Sequence, residues 1–159
     1  MLRPLLFLGF SNIASFVFVT ACTSYLLAFV LKVEDNSRGS TLGYLETADQ
    51  IVSLVGWPLW GLSSDTVGER SICISGLLLM SFGLILHPIA KYSIPTQVTE
   101  LPRSLLLARV LFSLGGSATI TMLTAYTAHM SKDIPATRIS SYLGIGSGFG
   151  AMFAAFFLL

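Results

Sequence analysis

The sequence predicts an all-α membrane protein of five transmembrane helices. Three observations lead there. Of its 159 residues 53% are hydrophobic and only 11% charged, against roughly 25% charged in an ordinary soluble domain. The mean hydropathy is +0.78. The nine Lys/Arg and eight Asp/Glu gather in short clusters, and the apolar stretches between them reach the roughly 20 residues a helix needs to cross a hydrocarbon core about 30 Å thick.

The first apolar stretch, residues 4–31, opens on Pro4, a residue suited to the first turn of a helix. Only Arg3 precedes it, and the run is far longer than the roughly 7–15 residues of a signal-peptide core, so it is expected to remain as a helix. The polar run 32–40 closes it. A second helix is expected over 41–62, with Pro58 as a kink between Trp57 and Trp60. The loop 63–71 leads to a third helix over 72–90, which is expected to stop near His87-Pro88. A segment with Pro95 and Pro102 precedes the fourth, 103–128. Residues 131–138 then turn the chain into the fifth, 139–159, which is still apolar at its last four residues. With no polar flank there, the expectation is a single partial transmembrane domain, truncated after the fifth helix.

Composition also excludes partners. A net charge of +1 with no basic run argues against nucleic acid. Cys22 and Cys73 lie in or beside apolar segments without CxxC spacing or a His cluster, so they read as small buried hydrophobes. No metal site, cofactor, nucleophile elbow or phosphate loop is expected, and the chain is not expected to be an enzyme. His87 and His129, near helix ends, read as interfacial rather than as ligands. Orientation is undecided by charge: with a cytoplasmic N-terminus, Arg3, Arg70, Lys132 and Arg138 would lie inside and Lys32, Arg38, Lys91 and Arg103 outside.

The run from Gly61 through Asp65 and Gly68 to Arg70 resembles the signature loop of the major facilitator superfamily, which joins the second and third helices of those transporters. Gly61, Asp65, Gly68 and Arg70 fall on the pattern; Thr66 and Glu69 depart from it, both positions being usually basic. Gly68 permits a tight turn, and Asp65 and Arg70 can pair across it. Arg109 followed six residues on by Gly115 resembles the family's fourth-helix pattern, although Phe112-Ser113 replaces its Gln-Gly. Gly144 and Gly148 match glycines of the antiporter-type fifth helix, but Phe149 stands where that motif has Pro. The resemblance implies the first five helices of an N-terminal six-helix bundle and a cytoplasmic N-terminus. It also implies a cytoplasmic latch in which the Asp and the basic residues of the loop engage the other half.

Helix faces add detail. Glu46, Asp49, Gln50 and Ser53 recur at i, i+3, i+4 and i+7, with Trp57, Gly61 and Ser64 close to the same face. Lipid would not tolerate that face, so it should meet another helix or water. On the fourth helix Arg109, Ser113, Gly116, Ser117, Thr124 and Thr127 form a second polar face. On the first helix Ser11, Ser15, Cys22 and Tyr25, with Asn12 beside them, form a milder one. Three such faces suggest a shared hydrated cavity; equally, Ser and Thr can bond their own backbone carbonyls. Gly115, Gly116, Gly144 and Gly148 are candidates for close helix packing, the fifth helix repeating Gly-x-x-x-Gly twice.

Charge inside the membrane is the sharpest signal. On insertion scales an Asp, Lys or Arg at a helix centre costs about 2.5–3.5 kcal/mol, and each large aliphatic or Phe returns about 0.3–0.6. At 1.5 Å per residue, Asp49 and Arg109 both lie roughly 10 Å from the same surface. Equal depth and opposite charge predict that Arg109 pairs with Asp49 or Glu46; the alternative is an Arg109 that faces an anionic substrate group. Asp49 or Glu46 is a candidate for proton coupling, since intramembrane ionisable groups are functional by default. The resulting expectation is secondary-active transport of a small solute, with a proton as a candidate coupling ion that the sequence does not fix. The five helices are expected to be incompetent alone and to require a C-terminal half or a partner chain. The competing reading is a non-transporting membrane protein that regulates or pairs with a full-length relative.

Overall fold

The computed structural model describes residues 3–31, 33, 35–89 and 103–157. The segment holding Lys91, Pro95 and Pro102 lies outside them, as do Lys32, Glu34, Ala90, Leu158 and Leu159. Five α-helices follow in order: α1, Arg3–Tyr25; α2, Asp35–Val67; α3, Glu69–Ile89; α4, Arg103–Met130; and α5, Ala136–Phe156. A π-helical turn, Leu26–Val30, extends α1.

Four of these stretches, Arg3–Val30, Glu69–Ile89, Arg103–Met130 and Ala136–Phe156, are long and apolar enough to cross a membrane. The composition of α2 falls short because Glu46, Asp49 and Gln50 fall close together in it. It is also longer than predicted, beginning at Asp35 and continuing through Pro58 to Val67. The early start is explained by Arg38. Its Nε donates to the Val33 carbonyl at 2.8 Å, and its guanidinium pairs with Asp35. Its Nη2 also reaches the Ala28 carbonyl at 3.5 Å, so a cation sits against the carbonyl-rich end of the first helix, where the helix dipole favours it.

Between α2 and α3 the predicted nine-residue loop shrinks to Gly68. This residue has φ +91°, and its N–H bonds the Ser64 carbonyl at 2.9 Å. That is the left-handed cap in which glycine pays no Cβ penalty. Asp65 and Arg70 are both exposed, and no ion pair joins them among the described residues. The charged contact at this end is instead Glu69 with His129, 3.7 Å apart, between the start of α3 and the end of α4, an ion pair when the imidazole is protonated.

α4 is the hub. Its residues Leu105, Ala108, Arg109, Phe112, Ser113 and 115–119 are all buried. α2 runs parallel to it: Leu45 packs with Leu105, Gly56 sits on Ser117, and Trp60 Nε1 donates to the Leu114 carbonyl at 3.0 Å. α3 runs antiparallel, with Gly83 against Phe112 and Gly76 against Gly115 and Ala118. α1 is antiparallel as well. Asn12 Nδ2 donates to Thr119 Oγ1 at 2.6 Å, Phe16 lies on Gly116, and Leu27 joins Leu45 and Leu105.

α5 packs on α1 in parallel, through Gly146 on the Leu6 carbonyl and Gly150 on the Phe10 carbonyl. This corrects the predicted packing residues. Gly115 and Gly116 are in tight contact, but Gly144 and Gly148 face open space. The fifth helix does use a Gly-x-x-x-Gly pair, the one offset by two residues. Small residues let backbones approach closely where no hydrophobic force drives helices together.

Replacing Gly150 with Leu should therefore cost about 1–3 kcal/mol, the usual range for overpacking. Gly148→Leu should stay within about 0.5 kcal/mol of the unmodified chain. Denaturant unfolding in detergent micelles measures both; equal losses would show that α5 is not seated on α1 through this face.

Candidate functional site

Asp49 and Arg109 meet in the interior. α2 turns one narrow stripe inward, Leu45, Asp49, Gly56 and Trp60, and α4 presents Arg109 at the matching height. Arg109 Nε lies 2.5 Å from Asp49 Oδ2. The second carboxylate oxygen accepts from Ser113 Oγ at 2.6 Å. Arg109 Nη1 donates to Thr23 Oγ1 at 3.1 Å, and the Thr23 hydroxyl donates onward to the Val19 carbonyl at 2.7 Å. Arg109 is 4% exposed and Asp49 9%.

These distances define one continuous network through α1, α2 and α4. Its net charge is zero, which matters because an isolated ion this deep would be far costlier than a paired one. Each carboxylate oxygen is satisfied by a separate donor, one of them charged, the stronger kind of hydrogen bond. Of the two predicted partners of Arg109, the structure selects Asp49. Glu46 is exposed, as is Gln50.

The predicted polar faces survive only in part. On α4, Ser113 reaches across to α2, but Ser117, Thr124 and Thr127 bond carbonyls of their own helix. Among the described residues, the α1 groups that hydrogen-bond to another helix are Asn12 and Thr23, not Ser11, Ser15 or Tyr25. Among the described residues no cluster of His, Cys, Asp and Glu has metal-binding geometry.

His87 corrects a further expectation. It is 3% exposed, turned into the bundle rather than out of it, and sits within electrostatic range of Asp49 and Arg109. The signal was present in the sequence: Gly76, Met80, Gly83 and His87, spaced four, three and four apart, form the buried stripe of α3. The helix does end close to Pro88, at Ile89, so what the sequence reading missed was the face on which His87 lies, not the position of the helix end.

A bundle of long apolar helices closed around a neutral buried charge layer defines an integral, multi-pass membrane protein. A comparison with protein families gives the class its name: the profile of the Major Facilitator Superfamily matches residues 11–158, and the chain belongs to that family. Its members are transporters rather than enzymes in general, so membership carries a transport function in general terms. No curated protein and no solved structure matches the chain.

Removing one partner strands the other as a buried charge, so Asp49→Leu or Arg109→Met alone should destabilise the fold by about 3–5 kcal/mol. The double variant should lose much less than the sum, and Glu46→Gln should have little effect. A double-mutant cycle on unfolding in detergent supplies the test; additive losses would mean the pair does not act as a unit.

Proposed function

We propose that the chain forms part of the solute path of a secondary-active transporter for a small solute. The observation that carries this reading is the buried Arg109–Asp49 pair, held by Ser113 and Thr23 in a chain of this superfamily. A purely structural ion pair is poor value inside a protein, since well-packed apolar residues often do as well or better. A pair that can be exchanged has a use. If a proton neutralises Asp49, Arg109 loses its counter-ion and becomes available to an anionic group of the solute. Glu46, exposed on the neighbouring turn, is the weaker candidate for that proton.

In this reading the five helices work with further helices, supplied by a C-terminal half or by a partner chain. Secondary transporters bind at the mid-membrane junction of two repeats that rock against each other. The chain alone is then transport-incompetent. The Gly61–Arg70 turn would lie on the cytoplasmic side together with the N-terminus, and Asp65 and Arg70, exposed and unpaired with each other, would be free to engage the other half as the resemblance implies.

Proteoliposomes holding this chain alone should accumulate solutes no faster than protein-free vesicles. In an assembled transporter containing it, acidifying the external medium should raise uptake, and Asp49→Asn should abolish that dependence. Dependence unchanged by Asp49→Asn would reject the proton role. If full-length transport is merely modulated by adding the chain, a regulatory protein is the better description.

A further inference from the structure

The end of the bundle at which α1 and α3 begin and α4 finishes carries a groove of about 480 Å³. Leu5 and Cys73 lie buried within it, and α4 contributes Tyr126 and Met130. Pro4, Arg70 and Ile74 along its rim are exposed. Its height in the membrane follows from the helices that border it. Arg3–Val30 and Glu69–Ile89 are both long and apolar enough to cross, so their first residues stand at the boundary between water and hydrocarbon. Arg70 is therefore at headgroup level. Leu8 and Ile74 line the same groove one turn further on from Pro4 and Arg70, about 6 Å deeper and in hydrocarbon.

On this surface the bilayer is the solvent. An apolar groove that opens on it is neither empty nor filled with water, because lipid chains are as apolar as its walls and are present in excess. The medium thus supplies the tail of the occupant, and the polar rim selects the headgroup.

That rim is cationic. Arg70 lines the groove and no acidic residue does. Among the described residues Arg70 makes no ion pair: its neighbour Glu69 is in contact with His129, and Asp65 is exposed and pairs with neither. Arg3, also exposed, precedes Pro4 at the start of α1. The N-terminal ends of α1 and α3 add partial positive charge at the same level. A guanidinium fork holds a phosphate through two parallel hydrogen bonds. A zwitterionic headgroup would bring a further cation to these arginines, whereas a net negative one complements them. We propose that the groove between the first turns of α1 and α3 is a site for an anionic phospholipid, with its phosphate on Arg70 and its first methylenes against Leu8 and Ile74. This site goes beyond the transport reading and does not rest on it.

The test uses the full chain in nanodiscs of phosphatidylcholine with a minor share of phosphatidylglycerol, the lipids that stay with the protein on release being counted by native mass spectrometry. Phosphatidylglycerol should be retained above its share in the bilayer. Arg70→Gln should cut that enrichment about fivefold, the equivalent of about 1 kcal/mol for one basic residue near an anionic headgroup. Ile74→Trp, which fills the groove and leaves the charges alone, should lower it as well. Arg103→Gln removes a cation from the opposite end of the bundle and should leave it unchanged. Inorganic phosphate should displace the lipid no more than chloride does at the same ionic strength. Absence of enrichment in the wild type, equal losses from Arg70→Gln and Arg103→Gln, or no effect of Ile74→Trp would overturn the proposal. Selective displacement by phosphate would overturn it too, by making Arg70 a site for a free anion.

Discussion

In a bilayer the helices gain little from burying apolar surface against one another, because the lipid is equally apolar. What fixes their relative positions must therefore be directional or steric. Here the directional element is the pair formed by Arg109 and Asp49. Once α4 places a cation about two turns into the membrane, the surrounding helices have little freedom. α2 must bring its carboxylate to the same height, which sets the parallel register that also seats Leu45 on Leu105 and Gly56 on Ser117. α1 must offer an acceptor to a second guanidinium nitrogen, Nη1, and Thr23 does so.

The steric element complements it. The stretch 115–119 of α4 consists of Gly, Gly, Ser, Ala and Thr, and every member is buried. No bulkier set could let three helices close around one. Gly115 receives α3 and Gly116 receives the ring of Phe16, so two adjacent glycines serve two different neighbours. α5 stands apart from this arrangement. It is joined chiefly to α1, by the same device of glycine against backbone carbonyl, and Phe10 stacks on Phe153 at the end of the contact with ring centroids 5.5 Å apart.

Much of this was legible in the sequence, and the failures have physical causes. Equal depth and opposite charge, both readable from the sequence, point to the central pair. Depth could not separate Asp49 from Glu46, which lie less than one turn apart; the decision came from the Leu45–Gly56–Trp60 stripe, whose members do not stand out beside the polar residues on the rest of the helix. The two glycine pairs of α5 were indistinguishable for a related reason. Residues 144 and 148 have the same spacing as 146 and 150, and only the location of α1 selects between them. The second helix was drawn too short because polar residues at 35–40 and 63–67 read as loop, although a helix projecting beyond the membrane core has no need to be apolar there.

Hydroxyl groups make the remaining distinction, and it is energetic. Ser113 and Ser117 lie one turn apart on the same buried face of α4, and sequence alone assigns them the same role. Ser117 turns to the Leu114 carbonyl, as an isolated serine in a membrane helix does. Ser113 instead turns to Asp49 Oδ1. A carboxylate is a charged acceptor and outcompetes a peptide carbonyl, so the side chain leaves its own helix wherever such an acceptor comes within reach. Thr23 combines both behaviours, keeping its proton on Val19 while lending its oxygen to Arg109. A stripe of Ser and Thr on a membrane helix is therefore a poor guide to a hydrated cavity. The informative residues are those within reach of a buried charge, and they identify themselves only after the charges have been placed.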